Sequence, residues 1–310
     1  MSELVQGGSF RVSGGRHRLD RLLADHLACG RRCARKLISE GAILVDGRRR
    51  PGSFVPGAGS MVTVALPEGS LVASGQPELA TAQVILERTD LAVLQKPAGL
   101  HSHSGRRRPS VTAFTASRYP ETLAAGTRPE EGGIVHRLDL DTSGVLVVAR
   151  SRRRFLDLRR AFHDHRVVKH YLAIVAGELD RGFESDTPIV RRRTGVRPPR
   201  PGEQGLPAHT SIRPLETGRG WTLVTALIRT GAPHQIRAHL AWSGYPIIGD
   251  LVYGDLPAPA HTRSGQLLHA MRVVLPRGPD VSAAVPSDFV RALALLRHYG
   301  VPCLSTAENS

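Results

Sequence analysis

Three hundred and ten residues amount to roughly two domains of about 150 each, and 41% hydrophobic with 22% charged side chains is the composition of a chain that buries a core, which excludes a disordered tail or a disulfide-stapled peptide. With 42 basic against 27 acidic side chains the formal charge is +15, the balance of a protein that faces a polyanion, nucleic acid before others. No apolar run reaches the roughly 18 residues of a membrane span and Met1 to Gly8 lack the layout of a secretory signal, so a cytoplasmic protein with no membrane partner is expected.

Residues 1–14 are rich in Gly and Ser and read as a flexible arm. Leu19, Leu22, Leu23 and Leu27 then recur at helical spacing, and Ala34, Leu37 and Ile38 do so in a second helix that Gly41 ends. Ala42–Arg48 reads as a strand entering an Asp-Gly turn, with a second strand over Ser60–Val64. Arg31, Arg32, Arg35 and Lys36 crowd the second helix. That order over residues 17–65 resembles the small RNA-binding module named after ribosomal small-subunit protein S-four, placed here at 15–66, and the resemblance makes those four side chains candidate RNA contacts.

Cys29 and Cys33, four apart on one helix, read as small buried hydrophobes; with Cys303 they are too few and too scattered for a disulfide framework or a four-ligand zinc site. Triple-arginine runs at Arg48–Arg50, Arg106–Arg108, Arg152–Arg154 and Arg191–Arg193 suit phosphate contacts. Only three of the 42 basic residues are lysines, Lys36, Lys96 and Lys169.

Residues 67–80 break both periodicities and read as a linker. The larger part, 81–285, opens on strands at Val84–Glu87 and Leu91–Gln95. Further strands are expected at Val145–Val148, Tyr171–Val175, Thr222–Ile228 and Met271–Leu275, and helices at 110–118, 152–165 and 234–243. Clustered hairpins without regular strand-helix alternation predict an α+β fold with a mixed or antiparallel sheet. Residues 180–208 read as an irregular excursion, and 286–310 as a short amphipathic helix and a tail.

The sharpest segment is His136-Arg137-Leu138-Asp139-Leu140-Asp141-Thr142-Ser143-Gly144, a polar loop feeding the apolar strand that follows. Read from the residues alone, Asp139 is a carboxylate beside Arg137 and His136, with Thr142 and Ser143 as hydroxyls; an ordinary turn binding its own backbone fits as well. The segment resembles the signature of the RluA-type pseudouridine synthases. Three more segments resemble that family's motifs in order: Gln95–Leu100 with Lys96, Lys169–Gly177 with Tyr171, and Arg229–Leu240 with Gln235 and Arg237, followed by Gly249-Asp250 and Tyr253-Gly254.

The resemblance implies an enzyme that isomerises uridine in structured RNA, large-subunit ribosomal RNA first and transfer RNA as the alternative; separately, a monomer is expected. It implies no cofactor and no metal, since the reaction is redox-neutral, in line with the absence of a dinucleotide or phosphate-loop fingerprint. Asp139 would act at the ribose, as nucleophile at the anomeric carbon or as base at the 2′ carbon. Arg237 would grip it through two parallel hydrogen bonds and keep it charged, and Tyr171 would lie against the uracil and exchange a proton with it. Arg137 would fill the gap left by the extruded base; His136, Lys96, Thr142 and Gln235 would bind substrate, Lys96 by shaping the site.

One departure stands out: the family has Arg-Thr where this chain has Ala232-Pro233, a cation and a hydroxyl fewer, with Pro233 expected at a helix start where its missing N–H costs little. That departure motivates the competing reading, a non-catalytic RNA-binding or ribosome-assembly protein that kept the fold. A DNA-binding regulator using residues 18–40 explains the charge but leaves the later motifs without a role.

Overall fold

The computed structural model describes residues 4–14, 17–26, 31–39, 43–67, 82–103, 110–128, 131–256, 258–259 and 265–301. All of the expected linker except Pro67, together with Leu27, Cys29, Gly41, Arg106–Arg108 and Cys303, lies outside them, as do the side chains of Arg32, Cys33, Lys36 and Leu37. The chain divides into two compact units, Met1–Pro77 and Glu78–Ser310.

In the first unit, β1 (Leu4–Arg11), α1 (Leu19–His26), α2 (Arg31–Ser39), β2 (Ile43–Val45), β3 (Arg48–Arg49) and β4 (Met61–Pro67) follow in order. The strands form an antiparallel sheet in the order β1-β4-β2-β3. The helical spacing of the leucines is real: Leu19 and Leu23 meet Ala34, Ile43, Val45 and Val62 in one buried cluster. Asp46 and Gly47 both take positive φ, 50° and 73°, and turn β2 into β3, as a tight hairpin requires. The stretch read as a loose arm is corrected: residues 4–11 are the edge strand β1, paired with β4 through their backbone. Gly7, Gly8 and Ser9 bring no large apolar side chain to an alternating pattern, so a strand held by main-chain bonds left no period-two signal.

The second unit carries β5 (Gln83–Glu87), β6 (Leu91–Lys96), α3 (Val111–Arg118), α4 (Thr122–Ala125), β7 (Ser143–Ala149), α5 (Arg152–His163), β8 (Val168–Ala176), β9 (Phe183–Ser185), β10 (Val190–Arg191), β11 (Val196–Arg197), β12 (Thr210–Gly218), β13 (Trp221–Ile228), α6 (Gln235–Trp242), β14 (Leu268–Val274), β15 (Asp280–Ser282) and α7 (Ser287–Tyr299). Serines start two of the helices, Ser110 accepting from the Ala113 N–H and Ser151 from that of Arg154, each satisfying a donor the first turn leaves open.

Nine strands form one mixed sheet, β5-β6-β7-β14-β8-β13-β12-β9 with β15 on β14. The join of β7 to β14 is parallel and the other pairings are antiparallel, so the fold is α+β. Residues 180–208 hold more order than expected, with β9 and the β10–β11 hairpin. Phe289, Ala292 and Leu296 of α7 are buried in the same core as Trp221 and Val224, and Trp221 Nε1 donates to the Leu296 carbonyl at 2.9 Å, so the C-terminal helix is part of this core.

Candidate active site

The parallel join is short, Ser143 beside His269 and Gly144 beside Ala270, and a second segment takes over the rest of that flank of β7. Ile134 bridges Val148, the Ala149 N–H reaches the Gly133 carbonyl at 2.8 Å, and the Val147 N–H is accepted by His136 Nε2 at 3.0 Å. Gly132 and Gly133, at φ 52° and 72°, turn the chain into this path. A Cβ on Gly133 would stand 2.1 Å from the Ala149 carbonyl oxygen. Ser102 Oγ clamps Leu138 at both backbone groups, 2.8 and 3.0 Å, and the Thr142 N–H closes a turn on the Asp139 carbonyl at 3.2 Å. Asp139 emerges at that turn with 21% of its side chain exposed.

Tyr171 reaches the same place from the sheet. Along one row of register, Gly144, Ala270, Tyr171 and Ala226 lie on successive strands. Burial, and then the charge of Asp139, raise the Tyr171 phenol well above its ordinary value, so it is a neutral phenol.

Arg237 comes from the first turn of α6 and is buried. Its Nη1 donates to Asp139 Oδ2 at 2.9 Å, while Nε and Nη2 give Asp250 a bidentate pair at 2.6 and 2.7 Å. The expected two-bond grip on Asp139 is thus corrected: the fork closes on Asp250, and Asp139 receives one bond. The reason is burial. A guanidinium this deep is costly unless its donors are satisfied, and Asp250, fully buried and itself accepting from the Val252 and Tyr253 N–H groups, provides the fixed partner. Burial works against the Arg237 charge, but Asp250 and then Asp139 more than offset it and hold the group protonated above its usual range.

Two further side chains complete the cluster. His234 Nε2 stands 4.0 Å from Asp139 Oδ1, and His234 Nδ1 lies 2.9 Å from the Tyr253 hydroxyl. Neither was singled out from sequence, nor was Asp250, although Asp250 and Tyr253 stand in the motif tail quoted above. The available signal was chemical: a buried arginine that offers one donor to a partly exposed carboxylate needs a second carboxylate for its fork.

Four of the side chains expected to bind substrate have structural roles. Lys96 is fully buried and donates to the Pro97, Leu100 and Leu140 carbonyls at 2.9, 2.7 and 2.8 Å, tying the 97–100 loop to the residue after Asp139. Buried Gln235 donates to the His209 carbonyl and Thr210 Oγ1 and accepts from Thr230 and Ala232. Buried Thr142 accepts from Gln266. His136 caps Val147 and stacks on Phe162; burial and nearby Lys169 push it down to about 3, leaving it neutral.

Arg137 is exposed and makes no hydrogen bond or ion pair among the described residues. In the first unit Arg31 is exposed, whereas Arg35 Nε is held on buried Asp20 at 2.8 Å. Ala232 is half-buried and packs against the apolar cluster of Ile189, Val196, Ala208 and Ala238. Pro233 lies two residues before α6, not in its first turn, since His234 is the cap residue.

Known proteins resemble this chain along most of its length. The family model for RNA pseudouridylate synthases matches residues 90–242, and that for the S4 domain matches residues 17–62. A Chloroflexus aurantiacus protein described as an uncharacterized RNA pseudouridine synthase is 36% identical over 297 residues, 90% of both chains. The ribosomal large subunit pseudouridine synthase D of Nitrosomonas europaea is 33% identical over 238 residues, 73% of this chain and 68% of that one. Among solved structures, human RNA pseudouridylate synthase domain containing 4 matches with TM-score 0.56 at 25% identity, over 69% of this chain and 93% of that one.

Proposed function

The chain belongs to the RNA pseudouridine synthase family, and from that premise we propose that it converts uridine to pseudouridine in structured RNA, large-subunit ribosomal RNA being the favoured substrate class. The observation that carries this reading is the contact of Asp139 with Arg237 at 2.9 Å, at a partly open turn with Tyr171 beside it. The names of relatives that act on the large ribosomal subunit support the substrate class.

In the reaction the N1–C1′ bond of uridine breaks and a C5–C1′ bond forms; the C5 proton leaves to solvent and N1 takes one up. The isomerisation is internally balanced in electrons. Asp139 meets the ribose, as nucleophile at C1′ or as base at C2′. Arg237 fixes the direction of its carboxylate through one charge-assisted bond, and Asp250 fixes Arg237. Tyr171, a neutral phenol, lies under the freed uracil and exchanges a proton with it in the later steps, as donor or acceptor. A base within a helix is out of reach, so it must be extruded at a cost of a few kcal/mol of stacking, and Arg137 is placed to occupy the gap.

RNA tritiated at uracil C5 tests this. Wild type is expected to release tritium to water, and Asp139→Asn to bind the same RNA without release. Equal release by both would overturn the role of Asp139. No release by wild type from ribosomal or transfer RNA would leave the competing reading, an RNA-binding protein with an altered Ala232-Pro233 loop.

A further inference from the structure

We propose that His234 is a positioning residue for Asp139, presenting an Nε2–H to the carboxylate oxygen that Arg237 does not hold, and that Tyr253 sets the tautomer that makes this so. The proposal rests on the reading of Asp139 as the group that meets the ribose.

The backbone gives the first indication. His234 caps α6 in the left-handed region at φ 53°, ψ 19°, where a residue with a Cβ costs of order 1 kcal/mol and persists when its surroundings determine it. What determines it is Tyr253, whose hydroxyl lies 2.9 Å from Nδ1 and whose ring meets the imidazole edge-on at 89°.

The tautomer follows from counting protons. Tyr253 Oη accepts the Val196 N–H at 2.7 Å, and a phenol has one proton of its own. Donating that proton to Nδ1 satisfies both groups and leaves the imidazole proton on Nε2. The reverse tautomer would turn the Nε2 lone pair toward an anionic oxygen 4.0 Å away. Burial pulls His234 below its ordinary value; Asp139 and Asp250 oppose this, and Arg237 and Arg137 reinforce it, with a net lowering. The ring is therefore neutral at pH 7 and has one proton to offer.

The division of labour at the carboxylate is then complete. Oδ2 is held by Arg237 at 2.9 Å and Oδ1 faces His234. One hydrogen bond leaves a carboxylate free to swivel about it, whereas a second donor at the other oxygen stops that rotation. At 4.0 Å the His234 contact is electrostatic, and about 1 Å of approach makes it a hydrogen bond, the tightening expected when substrate closes a site. Tyr253 supports both partners, because the Arg237 guanidinium also packs over its ring, 5.3 Å from the centroid.

The test pairs kinetics with nitrogen NMR. In wild type, 15N spectra are expected to show His234 protonated at Nε2 and bare at Nδ1, with that preference lost in Tyr253→Phe. His234→Ala is expected to lower kcat about 10- to 100-fold, the scale of a misoriented reacting group, with RNA affinity within about twofold. His234→Gln, which keeps an N–H donor, is expected to recover much of the rate. A proton on Nδ1 in wild type, a His234→Ala rate equal to wild type, a loss that tracks RNA affinity, or a Gln variant as slow as Ala would each overturn the proposal. Wild type that forms no pseudouridine would sink the functional reading itself; wild-type turnover with an unaffected His234→Ala would sink the positioning role alone.

Discussion

Arg237 gives two hydrogen bonds to Asp250 and one to Asp139, and this unequal sharing separates the carboxylate that fixes Arg237 from the one proposed to meet the ribose. Asp250 is fully buried and Asp139 is not.

Replacing the two carboxylates is therefore expected to have opposite signatures. Asp250→Ala strands a buried guanidinium, which costs about 3–5 kcal/mol where one member of a buried pair is removed, and it frees Arg237 to turn away from Asp139. Asp139→Asn leaves the Asp250 fork intact and is expected to cost about 1–2 kcal/mol, the scale of one hydrogen bond to a charged group, while abolishing tritium release. Urea denaturation at pH 7 reads the first difference and the release assay the second. An Asp250→Ala protein as stable as wild type would show that the fork carries no such weight.

What could be read from sequence follows from how each signal is encoded. The leucines of α1 are local and periodic, and they pack as their spacing says; the run Val145–Val148 is β7. β12 was missed because its outer face is open and its pattern is interrupted by Pro214. In the site, Asp139, Tyr171 and Arg237 were legible through motifs, but the partner of each side chain was not. His136 looks like an RNA contact until the Val147 N–H is found to need an acceptor where β14 stops pairing, and Lys96 looks like a substrate cation until three carbonyls are found around it. Such pairings join elements far apart in the chain, and residue type alone does not name them.

Lys169 gives a pH dependence with a definite sign. It is 5% exposed, donates to the Thr230 carbonyl, and is pushed down by burial to about 8 from 10.5. A base whose value is lower in the folded state penalises folding in full below about pH 8, and the penalty fades as pH rises toward 10.5. The penalty amounts to about 3 kcal/mol, against about 1 kcal/mol from its hydrogen bond. Lys169→Met is expected to be more stable than wild type by about 2 kcal/mol at pH 7, with the gap closing or reversing by pH 10. A gap that stays constant with pH, measured by urea denaturation, would show that the folded ammonium is not penalised.

Gly144 is expected to tolerate no side chain. At φ 121° it sits where a Cβ would be 2.1 Å from the Ala270 carbonyl oxygen, a backbone atom that cannot step aside. Gly144→Ala should cost about 3 kcal/mol or more, and because Asp139 lies five residues upstream on the same turn and strand, it should slow turnover in whatever fraction folds. A loss below about 1 kcal/mol would mean that β7 and β14 part more easily than their close approach suggests.

Arg137 is two residues from Asp139, exposed, and without a hydrogen bond or ion pair among the described residues, so its guanidinium is free to enter the space an extruded uracil leaves. A planar cation stacked between bases recovers part of the lost stacking, about 1–2 kcal/mol, which is about 5- to 30-fold in rate. That gain matters only where stacking has to be broken. Arg137→Ala is therefore expected to act on a short single-stranded RNA at nearly the wild-type rate and to slow about tenfold on a folded RNA holding the same uridine, both measured in single turnover. Equal slowing on the two RNAs would assign Arg137 to general phosphate binding, since a backbone contact is present whether or not the base is stacked.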